Sequence, residues 1–129
     1  MNIMMLLEMV QATFPERKAF TDGSSGTSYT YQELFEAARL RAASVKAAGA
    51  SRLVKLDVSN LGTPLSLFSG AWAGVPYVPL NYRLTDEEIE ALLKRVTPAY
   101  LVTQEDRVDT LGAVDDVSAR TTAYFLDGW

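Results

Sequence analysis

Along residues 2–12 the apolar positions Ile3, Leu6, Leu7 and Val10 recur at helical spacing, and Asn2 stands where a cap belongs. This predicts a short amphipathic helix with those four residues inward. After Phe14-Pro15 the period shortens. Ala19-Phe20-Thr21 and Ser28-Tyr29-Thr30 flank Asp22-Gly23-Ser24-Ser25-Gly26-Thr27, the pattern of a β-hairpin with a glycine-containing loop. From Thr30 to Gly49 the spacing is helical again: Thr30 and Glu33 form a capping box, Gly49 is the stop, and Leu34, Ala38, Ala42 and Val45 make the inward stripe. Arg41 falls on the buried side of that stripe while Leu40 faces water, so either the helix is rotated or Arg41 lays its stem on the core and exposes its head.

Residues 53–58 alternate, with Val54, Leu56 and Val58 on one face and Lys55 and Asp57 on the other. That predicts a strand with one face exposed at an edge or against a polar neighbour, and a same-face Lys55–Asp57 pair. A turn at Ser59-Asn60-Leu61-Gly62 leads into a helix over 63–73, with Pro64 in its first turn and Leu65, Phe68 and Trp72 on one face. At helical spacing Phe68 and Trp72 read as core rather than as a ligand pocket. Gly74 and Pro76 end the helix, and Tyr77-Val78-Pro79-Leu80, apolar on both sides, predicts a strand covered on both faces. Thr85 then caps a helix that opens with Asp86-Glu87-Glu88 and points Ile89, Leu92, Leu93 and Val96 inward. Carboxylates at a helix start favour its dipole, a better reading of this acidic cluster than a metal site. Pro98 closes the helix, Ala99–Thr103 is a buried strand, Val108, Leu111 and Val114 mark a short helix, and residues 121–126 a last strand. Strands alternating with helices at these lengths predict an α/β fold with a mostly parallel sheet.

Composition narrows the chemistry. The 129 residues suffice for one domain, and a net charge of −4 gives no electrostatic reason to bind nucleic acid. Cysteine and histidine are both absent, which excludes disulfides, thiolate zinc sites and serine–histidine or cysteine–histidine hydrolysis within these residues. The apolar start carries Glu8, lacks a basic flank and is too short to cross a bilayer, so it reads as a packing helix.

The run Gly74-Val75-Pro76-Tyr77-Val78-Pro79-Leu80-Asn81, followed by Leu84-Thr85 and the acidic helix start, resembles the N-terminal region of the adenylate-forming enzymes. That superfamily holds acyl-CoA synthetases, 4-coumarate ligases, luciferases and peptide-synthetase adenylation domains. With the box Tyr29-Thr30-Tyr31-Gln32-Glu33-Leu34, the likeness extends over residues 14–104. It implies that residues 1–129 form a single domain, a fragment of the large N-terminal domain of an acyl-CoA synthetase: a parallel sheet flanked by helices, with a small N-terminal hairpin. Three departures stand out. Arg41 replaces the usual leucine, Ala50-Ser51-Arg52 replaces a Gly-Asp-Arg strand entry, and the asparagine that closes the next strand in the family aligns with Ser59, one residue before Asn60.

The resemblance also implies a function: ATP-dependent ligation of a small carboxylic acid to coenzyme A through an acyl-adenylate, with ATP, magnesium and coenzyme A as cofactors of a cytoplasmic parent enzyme. Such chemistry needs a glycine-rich loop with lysine, a magnesium-holding glutamate, a ribose-binding aspartate and a mobile lysine. None has a match here, and Ser24-Ser25-Gly26-Thr27-Ser28 lacks the second glycine, proline and lysine of the family's phosphate loop. No catalytic residue, metal ligand or bound cofactor is therefore expected in this stretch, and alone it should be inactive. Two other readings stay open: a non-catalytic binding or dimerising module, and part of an adenylation domain that loads a carrier protein. The expected partners are the remainder of the synthetase and, through exposed apolar surface, a second copy of the chain. In some coenzyme A ligases the loops after the corresponding strands lie near the nucleotide end of coenzyme A. On that likeness Arg83 and Arg107 are candidate phosphate ligands and Tyr82 a candidate platform for adenine. The plainer alternative makes both arginines solvated loop residues.

Overall fold

A computed structural model of the chain describes residues 3–23, 25–58 and 60–126. Helix α1 (Ile3–Thr13) precedes a hairpin of β1 (Lys18–Thr21) and β2 (Ser28–Thr30), after which comes α2 (Tyr31–Ala47). The remainder alternates: β3 (Arg52–Leu56), α3 (Gly62–Ala73), β4 (Tyr77–Pro79), α4 (Asp86–Lys94), β5 (Ala99–Thr103), α5 (Glu105–Gly112), β6 (Val117–Thr121) and the short α6 (Thr122–Leu126). β1 and β2 pair antiparallel, and β3 to β6 form a parallel sheet in the order β4-β3-β5-β6. The expected α/β class, parallel sheet and N-terminal hairpin are all present.

From β3 the chain crosses to β4 on one side, then returns past β3 to β5 and β6 on the other. Crossovers of one hand running in opposite directions put their helices on opposite faces. Two apolar clusters follow from this. Leu53 and Tyr100 share one with Leu34, Ala38 and Val45 of α2 and Leu65 of α3. Val54, Leu56 and Leu101 share the other with Ile89 and Leu93 of α4 and Leu111 of α5.

Local signals hold at the helix ends. Thr30 with Glu33 and Thr85 with Glu88 both close reciprocal capping boxes, and Gly49 and Gly74 take left-handed backbone at φ 69° and 77°. Thr85→Ala should therefore lower stability by about 1 kcal/mol, read as a shift in the urea midpoint at unchanged slope. A larger loss would mean that the cap also holds the preceding loop.

Several expectations need correction. Tyr77–Leu80 is not covered on both faces: β4 is an edge strand, half-buried, with Pro79 exposed. Prolines lack the ladder N–H and are confined to edges. The central position goes to β3, whose residues Leu53–Leu56 are all buried, so of the two expectations for its Lys55 face the exposed edge fails and the polar neighbour holds. Val58 lies beyond that strand and is exposed. Residues 122–126 form a helix, not a strand; the last strand runs one step earlier, and Thr121 Oγ1 accepts the Tyr124 N–H (2.9 Å) to start the turn. In α1 the buried residues are Met4 and Leu7 while Leu6 is exposed, which rotates the inward stripe. α5 stops at Gly112, and Val114 is buried in the turn that follows. The expected cap at Asn2, and Ser59, lie outside the described residues.

Arg41 is 5% exposed, with Nε and Nη2 buried, so its head is largely withdrawn from water instead of exposed as the stem-and-head alternative required. Its guanidinium carbon lies 5.6 Å from the Tyr124 ring centre and 5.7 Å from that of Phe125. Aromatic faces of α6 take the place of solvent, while Leu40 faces water as expected. Phe68 is partly buried against the first core cluster, as is Trp72, which meets Phe35 edge-on at 5.3 Å. No helix among the described residues is long and apolar enough to cross a membrane.

Candidate functional site

The loops singled out above come together at one end of the sheet. Asn81 opens the loop after β4 by accepting the Arg83 N–H on Oδ1 (3.0 Å), and Arg83 lies over the Tyr82 ring at 5.5 Å. Arg107, one turn into α5, donates Nη1 to the Tyr82 carbonyl (3.1 Å), donates Nη2 to the Leu84 carbonyl (2.6 Å), and meets Asp86 Oδ1 through Nε at 3.1 Å. Tyr82, Arg83 and Arg107 are thus neighbours. Their roles differ, however, because Arg107 spends each face of its guanidinium on fastening the loop to α5, whereas Arg83 is not drawn into that clamp. The groove beside Arg107 is walled by Asp86, Glu87 and Asp106, an arrangement that repels an incoming phosphate. Any anion at this end would meet Arg83 and Tyr82 rather than Arg107.

A second polar cluster was only half visible in the residue pattern. Lys55 Nζ sits 3.9 Å from Asp57 Oδ2 and 3.4 Å from the Val58 carbonyl, with the lysine 3% exposed. Asp57 accepts three hydrogen bonds, from Val58 N–H (2.7 Å), Asn60 Nδ2 (3.2 Å) and Thr122 Oγ1 (2.8 Å). Asn60 Oδ1 accepts the Gly62 N–H at the start of α3 (2.9 Å), and Thr103 Oγ1 donates to the Leu56 carbonyl (2.8 Å). Burial pushes the Lys55 ammonium below the ordinary lysine range, and Asp57 only partly offsets this. The alternation along β3 pointed to a Lys55–Asp57 pair. Nothing local pointed to Thr122.

This cluster fills the place where ligands enter many open α/β sheets, the crevice at the carboxyl ends of the strands where the crossover direction reverses. Here the reversal lies between β3 and β5. Side chains of the chain itself, not solvent, occupy it. Beside it, between the hairpin, α3 and β4, opens a cavity of about 470 Å³ whose walls include Phe20, Asp22, Asn60, Leu67, Phe68 and Tyr77. Phe68 therefore both packs on the core and lines a cavity, while Trp72 is not among the described walls. Burial raises the Tyr77 phenol above its ordinary value. The cavity can seat an apolar body, but the one charged residue among its described walls, Asp22, is acidic and disfavours a carboxylate. Among the described residues no cluster of acidic side chains is arranged to hold a metal ion.

A reversing parallel sheet, a leading hairpin and a proline-bounded edge strand place the chain in the class of helix-flanked α/β domains. More narrowly, it belongs to the AMP-binding enzyme family, whose model matches residues 7–127. Solved structures agree in fold. A benzoate CoA ligase from Burkholderia xenovorans LB400 superposes with a TM-score of 0.82 at 20% identity, covering 99% of this chain and 28% of that one. The N-terminal domain of FACL13 from Mycobacterium tuberculosis gives 0.82 at 19% identity, over 99% of this chain and 36% of that domain. ATP-bound MatB from Rhodopseudomonas palustris gives 0.80 at 20% identity, over 93% and 25%. The chain thus spans about a third or less of the structures it resembles. No curated sequence matches it.

Proposed function

We propose that these residues are the N-terminal part of an adenylate-forming acid–CoA ligase, an enzyme that activates a small carboxylic acid as its acyl-adenylate and passes the acyl group to coenzyme A. The supporting observation is the family match over residues 7–127, carried on a fold shared with a benzoate CoA ligase. ATP, magnesium and coenzyme A belong to the whole enzyme, which we assign to the cytoplasm. The part described here is scaffold. Its carboxyl-end crevice is lined by Lys55, Asp57, Asn60 and Thr122, and among the described residues its cavity has no cationic group to meet a phosphate or carboxylate.

The 129-residue chain alone should therefore catalyse no acid-dependent exchange of pyrophosphate into ATP. Exchange above background by the purified chain would place the adenylating machinery within it and overturn this division of labour. Tyr82 and Arg83 are the residues we assign to the nucleotide end of coenzyme A, with Arg107 positioning their loop. In the whole ligase Arg83→Ala should raise the KM for coenzyme A about tenfold, the equivalent of one lost charge-assisted hydrogen bond, and leave pyrophosphate exchange unchanged. An unaltered KM would return Arg83 to the solvated surface.

A further inference from the structure

Neither Arg41 nor Arg120 meets a carboxylate at ion-pair distance among the described residues. Both approach one ring: the guanidinium carbon of Arg120, on β6, lies 5.9 Å from the centre of the Tyr124 ring that Arg41 approaches at 5.6 Å, and 6.0 Å from that of Tyr100. Two positive charges thus share one aromatic group. α2 offers Arg41 no relief, because the residues one turn to either side are Ala37, Ala38, Ser44 and Val45. A guanidinium cannot shed its proton, and burying one is costly unless oxygens meet its N–H groups. Rings compensate for the charge but bring no such oxygen to it. The two unpartnered nitrogens are Nε and Nη2. They lie on the same edge of the guanidinium, where two parallel N–H bonds match the two oxygens of one carboxylate. Both charges also reach the phenol of Tyr100, which burial raises above its ordinary value while Arg120 and Arg41 pull it back, so it remains a donor.

We propose that Arg41, with Tyr100, Tyr124 and Arg120 around it, forms a binding site for the carboxylate of a small organic acid, held side-on by Nε and Nη2 of Arg41. The parts differ in depth. Arg41 and Tyr100 are buried and supply the donors, whereas Arg120 is exposed, has committed Nη1 to the Ala119 carbonyl at 2.8 Å, and contributes its charge from the solvent side. Tyr124 is the door. Its side chain is more than half exposed, and exposed side chains change rotamer on the picosecond to nanosecond scale, so it can swing out to admit the anion and close over it. Planarity favours carboxylate over phosphate. The Tyr124 and Phe125 rings, centred 5.6 and 5.7 Å from the guanidinium carbon, leave little height for the out-of-plane oxygens of a tetrahedral anion. No bond-making step is assigned to this site, and it shares no residue with the loop of Tyr82 and Arg83. Its occupant acts on stability, by supplying the oxygens that the buried guanidinium lacks.

Melting the 129-residue chain and its Arg41→Leu variant in sodium acetate, against sodium chloride at equal ionic strength, tests this. Once the site is half filled, the wild-type melting temperature should rise by about 5 °C for each further tenfold step in acetate. The variant reports the general effect of the salt, so it should move little and the gap between the two proteins should narrow. A second reading does not need the leucine variant to fold. In the ¹⁵N-labelled chain the side-chain Nε–H resonance that disappears on Arg41→Lys should shift and saturate as acetate is added. Arg41→Lys keeps the charge but loses the two-pronged edge, and should bind acetate at least about tenfold more weakly. A gap that stays constant overturns the proposal, as does a resonance that chloride moves as far as acetate does. Tighter binding of inorganic phosphate than of acetate, or undiminished acetate binding by Arg41→Lys, overturns it too.

Discussion

Asp57→Ala is expected to destabilise the protein by about 3–5 kcal/mol, the range for removing one partner from a buried ion pair. The carboxylate is the common acceptor for Val58, Asn60 and Thr122 and the nearest counter-charge to Lys55. Its loss strands a buried ammonium and the Asn60 amide, while the exposed Val58 N–H turns to water and Thr122 keeps the Thr103 carbonyl at 3.4 Å. Against a typical total of about 5–15 kcal/mol this is a large fraction, readable in urea unfolding. Asp57→Asn keeps the size and an acceptor oxygen and should cost clearly less. A loss below about 1 kcal/mol for the alanine variant would show that the network behaves as a surface pair. The pH dependence carries a definite sign. Because burial lowers the Lys55 pKa in the folded state, the unfolded chain binds the extra proton between that lowered value and the ordinary 10.5. The lysine's contribution to stability therefore rises with pH through this window, and Lys55→Met should abolish the rise.

Arg41→Leu should stabilise the protein by about 2 kcal/mol. Nε and Nη2 of Arg41 are buried without hydrogen-bond partners, and the rings of Tyr124 and Phe125 compensate only in part. Leucine fits the apolar stripe of α2 and brings no charge to desolvate. Higher thermal stability with unchanged circular dichroism would meet the expectation. A drop would mean that the stem of Arg41 fills a space leucine leaves open, and Arg41→Met would then recover most of it.

What could be seen in the residue pattern depended on how far apart the partners lie. The capping boxes at Thr30 and Thr85 and the left-handed turn at Gly74 rest on residues within one turn of each other, and they stand as expected. Pro79 announced a ladder stop, yet whether its strand sits centrally or at an edge depends on where β5 pairs, which no local window contains. Lys55 is the sharper case. Alternation along β3 left its face either at an exposed edge or against a polar neighbour without naming one, and the neighbour is Thr122, which bonds Asp57 across 65 residues of sequence. Residues 121–126 hold β-branched and aromatic side chains that suit a strand or a helix equally. Docking of Phe125 beside Tyr100, ring centres 6.1 Å apart, accompanies the helical choice. The cluster of Tyr82, Arg83 and Arg107 was assembled from two separate loops, and the clamp that unites them reaches back 25 residues.

The central place of β3 has a consequence for biosynthesis. Thr103, the β5 residue that bonds Leu56, is translated 47 residues later. At about 5–20 residues per second the ribosome needs roughly 2–9 seconds to deliver it. During that interval Leu53, Val54 and Leu56 have at most β4 and the helices already made beside them and one edge of β3 stays open, which makes this stretch of the nascent polypeptide the natural point of engagement for a chaperone.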